Sequence, residues 1–350
     1  MDTKTTVTKE TKNRIRVDYE GKLSFKERFK KKLKASNTWI KGVVHVLRFI
    51  LMLGVSYVIL FPFITKIAGS FMTIEDLVSP TVALIPRAPT LENYRVIAVE
   101  NHYFEALFNT TVLSLICALL QTLVACLIGY GLAKFKFKGN KIVMITVVVT
   151  MIIPHFALGT AMSEQFKNFD LFRVLTWGYK GPIEAIFGDT LHLTFSYWPL
   201  VLLSATGLAF KNGLYIYLMR QFFKGVPDEL EESAYVDGAN TIRTFFQIII
   251  PLSVPMMITI FLFSFSWQWT DEFYTTICFP TKGSGTYLMP EITVPPSDII
   301  AGYANHPGKV LYQTMLTNTA GMMAIAPLII VYLFGQRYLV QGIERSGLVG

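Results

Sequence analysis

The sequence has little charge, little cysteine and little histidine. Only 16% of its 350 residues are charged, where an ordinary soluble domain carries about 25%, and 52% are hydrophobic. Three cysteines, Cys117, Cys126 and Cys278, fall in or beside apolar runs, so we expect small buried hydrophobes and no disulfide framework. The five histidines have no metal-ligand spacing, and we expect no metal site. This composition indicates an integral membrane protein with several spans.

Catalytic and nucleotide-binding motifs are also missing. The nearest approach to a nucleotide loop is "GYANHPGKV", Gly302 to Val310. It has five residues between its glycines, where a P-loop has four, and Val310 stands where Ser or Thr is needed. We therefore expect no enzyme activity and no cofactor in this chain.

The net charge of +8 is concentrated at the N-terminus, where residues 1–42 alone carry thirteen Lys and Arg against five Asp and Glu. Such a basic tail suits nucleic acid or anionic lipid. Its position before an apolar run favours an orientation signal that keeps the N-terminus in the cytoplasm, with no nucleic-acid partner. We predict a basic cytoplasmic tail over 1–42, a six-helix transmembrane domain over 43–335 and a cytoplasmic C-terminal tail over 336–350.

Six apolar runs approach the roughly 20 residues that a membrane-spanning helix needs. They lie near Val43–Ile64, Leu107–Ala133, Ile142–Met162, Tyr197–Leu218, Leu252–Tyr274 and Leu316–Gly335. The connections that would face the cytoplasm hold 22 Lys and Arg against 8 on the other side. The sequence therefore predicts an all-α integral membrane fold with six transmembrane helices, and with both termini inside.

A polar segment interrupts this apolar chain, within the predicted cytoplasmic loop 219–255. Pro227 suits the first turn of a helix, and the carboxylates that follow suit the positive end of the helix dipole. Gly238 stands where a left-handed residue would end that helix, and Asn240 where a cap would begin the next. Pro251 and Pro255 are expected to bend the chain as it enters the membrane. We predict a short helix, a glycine turn and a second helix continuous with the fifth span.

This segment carries the pattern "EESAYVDGANTIRTFFQIIIP". It resembles the cytoplasmic loop signature of ABC importer permeases, E-A-A-x-x-x-G-x9-I-x-L-P, with Ser in place of one Ala and Ile250 in place of Leu. Further stretches resemble the carbohydrate branch of that family: "APTLENY", "AKFKFKGNK", "LMRQFFKGVPDELEESAYVDGA", "WQWTDEF" and "QRYLVQGIERSGLVG". The resemblance covers about residues 43–350. It implies a type I ABC importer permease fold whose loop forms a coupling helix.

The resemblance also implies partners. These are a second permease in a heterodimer, two ATPase subunits that would bind the ATP, and an extracytoplasmic solute-binding protein, in the bilayer of a bacterial cytoplasmic membrane. The solute would be a sugar or oligosaccharide, and glycerol-phosphate-like solutes fit as well. The expected contacts with the ATPase are made by the loop residues Glu232, Ser233, Ala234, Asp237, Gly238, Ile248 and Pro251.

A self-sufficient secondary transporter or channel is the alternative, and it would need ionisable residues in its spans. Lys211 lies within the fourth apolar run, where it faces a water-filled path or marks an irregular helix end. Near the end of the fifth run, Trp267, Trp269, Asp271 and Glu272 form either an interfacial aromatic belt or a patch that contacts sugar. These residues are the candidate substrate path.

Overall fold

The computed structural model describes residues 7–10, 16–19, 36–170, 181–279 and 286–347. The chain divides into two compact units, Met1–Thr65 and Lys66–Gly350. In the first unit, β1 (Val7–Glu10) and β2 (Arg16–Tyr19) form an antiparallel hairpin in which Val7 faces Tyr19. This hairpin departs from the all-α prediction. In β2, Val17 and Tyr19 alternate with polar residues, and β1 begins with two β-branched residues, Val7 and Thr8; such residues are typical of strands.

Helix α1 (Ser36–Ser70) begins in the first unit and follows the first apolar run. Its side chains from 41 to 64 are exposed, and the segment Lys41–Ser70 is long and apolar enough to cross a membrane. A long helix with an apolar exposed surface satisfies its own backbone groups, as a bilayer requires.

The second unit is mostly helical in its described part. Its helices, in chain order, are α2 (Ile74–Val78), α3 (Glu92–Glu100), α4 (Tyr103–Lys134), α5 (Asn140–Ile152), α6 (His155–Lys167), α7 (Pro182–Phe187), α8 (Trp198–Thr206), α9 (Asn212–Lys224), α10 (Glu229–Val236), α11 (Thr241–Thr244), a π-helix (Phe245–Ile249), α12 (Ile250–Trp269), α13 (Phe273–Cys278), a 3₁₀ turn (Glu291–Thr293), α14 (Ser297–Gly302) and α15 (Lys309–Gly347).

Four continuous helices in the described residues can cross a membrane by length and composition: Lys41–Ser70, Tyr103–Lys134, Thr241–Trp269 and Lys309–Leu339. They cover the first, second, fifth and sixth predicted runs. The third run is bent by 99° between α5 and α6, so that a fifth span is counted only if this pair is one span. Ile153 precedes Pro154 and is extended, because a residue before proline is disfavoured in the helical region.

The fourth predicted run is not one helix. Helix α8 ends at Gly207, which has a left-handed φ of 77°, and α9 begins after Lys211, which has a φ of 66°. The backbone N–H groups of Leu208 and Ala209 both donate to the Leu203 carbonyl at 3.0 Å, which closes the broken end. The prediction of a single spanning helix over Tyr197–Leu218 is therefore wrong. A glycine that ends a helix outweighs the apolar composition on which the prediction depended.

Helix α4 forms the centre of the second unit and packs against α8, α9 and α12. Gln121 on α4 is buried and joins three helices, since its Nε2 donates to Ser204 Oγ of α8 at 3.1 Å and its Oε1 accepts from Ser264 Oγ of α12 at 2.7 Å. All three cysteines are buried and free, which confirms their interpretation as small hydrophobes.

Helices α4 and α9 approach closely at Gly129. A Cβ at this position would lie 2.6 Å from the Cβ of Met219 and 3.0 Å from the backbone nitrogen of Arg220, whereas a Cβ at Gly131 would meet nothing within 4 Å. Small residues of this kind permit close packing between membrane helices.

These two glycines form a matched pair for a stability test. We expect Gly129→Ala to destabilise the protein by about 1–3 kcal/mol, because the new methyl overlaps a rigid neighbour. Gly131→Ala is expected to be neutral or to stabilise by up to about 1 kcal/mol through helix propensity. Unfolding in detergent, followed by circular dichroism, measures both. Equal effects of the two changes would contradict the close approach.

Candidate functional site

The polar loop after α9 folds as a helical hairpin made of α10, the Gly238 turn and α11. Helix α10 begins at Glu229, and its N-cap residue is Asp228. Pro227 therefore lies before the helix, and the prediction that it occupies the first turn is wrong. Asp228 makes no side-chain cap, because its carboxylate is bound by Lys134. Glu229, Glu231 and Glu232 occupy the first turn, where the helix dipole favours them.

The turn at Gly238 has the predicted geometry. Its φ of 81° is left-handed, its N–H donates to the Tyr235 carbonyl at 3.0 Å, and the N–H of Ala239 donates to the Ala234 carbonyl at 2.9 Å. This bond pair is the Schellman motif. Asn240 then caps the next helix, with its Oδ1 accepting from the Arg243 N–H at 2.8 Å. The prediction of a helix, a glycine turn and a capped second helix is confirmed.

The second helix continues into the membrane-spanning segment, as predicted. Helix α11, the π-helix Phe245–Ile249 and α12 form one segment, Thr241–Trp269. The N–H of Ile250 bonds to the Phe245 carbonyl, five residues back. Because Pro251 has no N–H, the Gln247 carbonyl has no ordinary helical donor there, and a wider turn accommodates the mismatch. Pro251 is exposed and Ile248 is half-buried.

Helix α10 is fixed to the end of α4 by a cluster that we call the Lys134 clasp, made of Tyr130, Lys134, Asp228 and Glu231. Lys134 Nζ donates to the Val226 carbonyl at 2.6 Å and to Asp228 Oδ1 at 2.5 Å, and lies 3.5 Å from Glu231 Oε1. Tyr130 Oη donates to Glu231 Oε2 at 3.0 Å. The hydrogen bond from Lys134, followed by its charge, lowers the pKa of Asp228.

The clasp was not predicted from the sequence. Its signals were present, since Lys134 closes a long apolar run and Glu231 stands among the loop carboxylates. Lys134 and Glu231 are 97 positions apart in the sequence, so only the fold brings their side chains together. The side chains of Lys134 and Glu231 are 9% and 10% exposed, so that each needs the other as a partner.

The opposite face of α10 is exposed in the part of the chain that the structure describes. Glu232, Ser233, Asp237 and Gly238 are exposed, and so is the apolar Val236, at 88%. Ala234 is buried against the rest of the chain, so its small side chain serves internal packing. The hairpin thus presents a surface of carboxylates with an apolar side chain among them.

Two residues of the candidate substrate path lie together at the break between α8 and α9. Lys211 Nζ lies 4.6 Å from the ring centre of Phe210 and 5.0 Å from that of Trp267, within cation–π range. Phe210 and Trp267 make an edge contact at 5.2 Å. Lys211 also lines a cavity of about 140 Å³ with His155 of the bent pair. The lysine therefore marks an irregular helix end, one of the two interpretations of its position.

The other three residues of the path point in different directions. Trp269 is buried, and its Nε1 donates to the Ala324 carbonyl of α15 at 2.9 Å. Asp271 accepts from the N–H of Thr275, in the first turn of α13, at 3.1 Å. Glu272 lines an open groove of about 620 Å³ between α6 and α13. In the described part of the chain, no group of three or more His, Cys, Asp or Glu side chains is arranged to hold a metal ion.

Comparison with known proteins assigns the chain to a family. Residues 121–345 match the family described as "Binding-protein-dependent transport system inner membrane component". A polygalacturonan/rhamnogalacturonan transport system permease of Bacillus subtilis (strain 168) is 28% identical over 80% of this chain and 89% of its own length. The trehalose/maltose transport system permease of Thermococcus litoralis is also 28% identical, over 89% and 98%.

A solved structure has the same fold. A chain of a bacterial ABC transporter involved in the import of the acidic polysaccharide alginate aligns with a TM-score of 0.58 at 18% identity, over 87% of this chain and 98% of that one. With the family match covering more than half of the sequence, this chain belongs to the binding-protein-dependent transport system inner membrane components, the permease family that the loop pattern had indicated.

Proposed function

We propose that this chain is one permease subunit of an ATP-driven importer, and that it forms half of the translocation path for a sugar or oligosaccharide. The two named relatives are described as transport system permeases for polygalacturonan/rhamnogalacturonan and for trehalose/maltose, and they support this substrate class. The partners are a second permease, two ATPase subunits and an extracytoplasmic solute-binding protein. A solved alginate transporter of the same fold is described in complex with a periplasmic protein that carries the saccharide.

The proposed topology has six spans in a bacterial cytoplasmic membrane, with both termini inside. The bent pair α5–α6 is the third span, and the broken pair α8–α9 is the fourth. The bias of 22 Lys and Arg against 8 supports this orientation. It places the loop hairpin in the cytoplasm, where an ATPase is accessible.

The loop hairpin is the proposed coupling element, and its geometry is the observation that carries the function. Helix α10 exposes one face for a partner, while the Lys134 clasp joins it to α4 and α11 joins it to α12. A displacement of α10 therefore acts on two spanning helices at once. ATP is bound and hydrolysed by the partner, and the two permeases convert the resulting motion into alternating access.

The first experiment tests coupling through the turn. We expect Gly238→Val to abolish ligand-stimulated ATP hydrolysis in the purified complex, because a β-branched residue is strained at a φ of 81°. Gly238→Asn is the control and is expected to keep most of the activity, because Asn tolerates the left-handed region. Glu232→Ala is expected to weaken co-purification of the ATPase. Retention of full activity by all three variants would remove the hairpin from the mechanism and favour a self-sufficient transporter.

A second prediction concerns the clasp. Lys134→Met removes the ammonium shared by Asp228 and Glu231, and leaves Glu231 buried beside Tyr130 without its cation. We expect ATP hydrolysis by the complex to continue while uptake into proteoliposomes falls about tenfold or more, because α10 no longer moves α4. The double variant Lys134→Met/Glu231→Gln removes the unpaired charge and should restore stability without restoring uptake. Normal uptake by Lys134→Met would show that the clasp transmits nothing.

A third prediction concerns the substrate path. If Lys211 and Trp267 line it, Lys211→Met and Trp267→Ala should each reduce uptake at a given rate of ATP hydrolysis, whereas Trp269→Phe should not, because Trp269 faces α15. Uptake and hydrolysis measured in the same proteoliposomes separate these effects. An unchanged ratio of uptake to hydrolysis in the first two variants would remove both residues from the path.

A further inference from the structure

A second charged site lies at the same end of the membrane-spanning helices as the clasp. The link between α4 and α5, with the last turns of α9, encloses an open depression of about 770 Å³. Five cationic side chains line it: Lys136, Lys138, Lys141, Arg220 and Lys224. We propose that this depression, the basic pocket, binds the headgroup of an anionic glycerophospholipid.

Charge is the first argument. In the described residues, none of the five cations forms an ion pair within 4 Å, and no carboxylate lines the pocket. Lys136 is close enough to Asp228 to lower the pKa of that carboxyl, but Asp228 is already bound by Lys134. The pocket therefore holds a concentrated positive charge that needs a counter-ion, and basic pockets between membrane helices bind anionic headgroups.

The pocket is also shaped by hydrogen bonds that leave its four lysines exposed and Arg220 half-buried. Asn140 Nδ2 donates to the carbonyls of Leu132 at 3.2 Å and Phe135 at 3.1 Å, which fixes the link over the end of α4. Arg220 Nε lies 3.4 Å from the Leu132 carbonyl, which orients the guanidinium towards the link. Guanidinium and ammonium groups held in this way suit phosphate oxygens.

The surroundings of the pocket distinguish a lipid from a soluble anion. Phe135 and Phe137 stand between the lysines and are 46% and 47% exposed. An apolar stripe then leaves the pocket along α5, with Ile142, Ile145 and Ile152 exposed by 70%, 62% and 72%. This stripe follows the axis of a helix that buries only Val147 within the chain. A phosphate in the pocket would therefore have its acyl chains along α5, in hydrocarbon.

The test measures lipid binding to the full-length protein in neutral detergent. Phosphatidylglycerol or phosphatidylcholine is titrated into the micelles, and bound lipid is counted by native mass spectrometry. We expect the wild type to prefer phosphatidylglycerol. Lys136→Gln/Lys138→Gln/Lys141→Gln should weaken phosphatidylglycerol binding by about tenfold or more and leave phosphatidylcholine unaffected. The corresponding Lys→Arg variant keeps the charge and should therefore bind phosphatidylglycerol as the wild type does.

The basic tail supplies the matched control. Lys30→Gln/Lys31→Gln/Lys32→Gln removes the same charge from another part of the chain and should weaken phosphatidylglycerol binding less than the pocket variant does. The proposal is overturned if the tail variant loses as much binding as the pocket variant, or if the wild type does not distinguish the two lipids. It is also overturned if glycerol 1-phosphate or inorganic phosphate displaces the lipid, which would show a site for soluble anions. A pocket variant that binds phosphatidylglycerol normally but no longer co-purifies with the ATPase would overturn it as well.

Discussion

One ammonium group, that of Lys134, connects the membrane-spanning helix α4 to the loop hairpin. Lys134 closes the central helix α4 and binds a carbonyl and two carboxylates of the loop that follows α9. Because Lys134 and Glu231 are almost completely buried, separating them would leave an unpaired charge inside the protein. Moving the loop hairpin away from α4 would therefore break this buried ion pair. In the proposed mechanism, a partner that displaces α10 would act on α4 through this contact and on α12 through the continuous segment Thr241–Trp269.

Breaks in the apolar runs are the second organising feature. The third run bends at Pro154, and the fourth is interrupted between Gly207 and Lys211. Irregular backbone at membrane depth is tolerated where it is buried in protein or lines a polar cavity. Here the break brings Lys211, Phe210 and Trp267 together, next to the cavity that His155 shares. The fourth apolar run, which its composition predicts to be a spanning helix, is thus broken next to a charged side chain, Lys211.

The basic pocket gives the link "KFKFKGNK" a role beyond orientation. Lys134 of this link holds α10, while Lys136, Lys138 and Lys141 line the pocket. One short segment therefore contacts both the proposed coupling element and the proposed lipid. An anionic headgroup in the pocket would neutralise lysines close to Asp228, whose pKa already responds to Lys136. A bound lipid headgroup and the loop hairpin would then share the same cluster of charged residues.

The sequence by itself determined the class of the protein, four of its long helices and the local fold of the loop. Apolar composition indicates a bilayer, and Gly238 and Asn240 act on their immediate neighbours, so their effects follow from local rules. The tertiary structure alone decided what α10 contacts, where the fourth run breaks and which path residues meet. Lys134 with Glu231, and Trp267 with Lys211, are far apart in the chain, and only the packing of α4, α9 and α12 joins them.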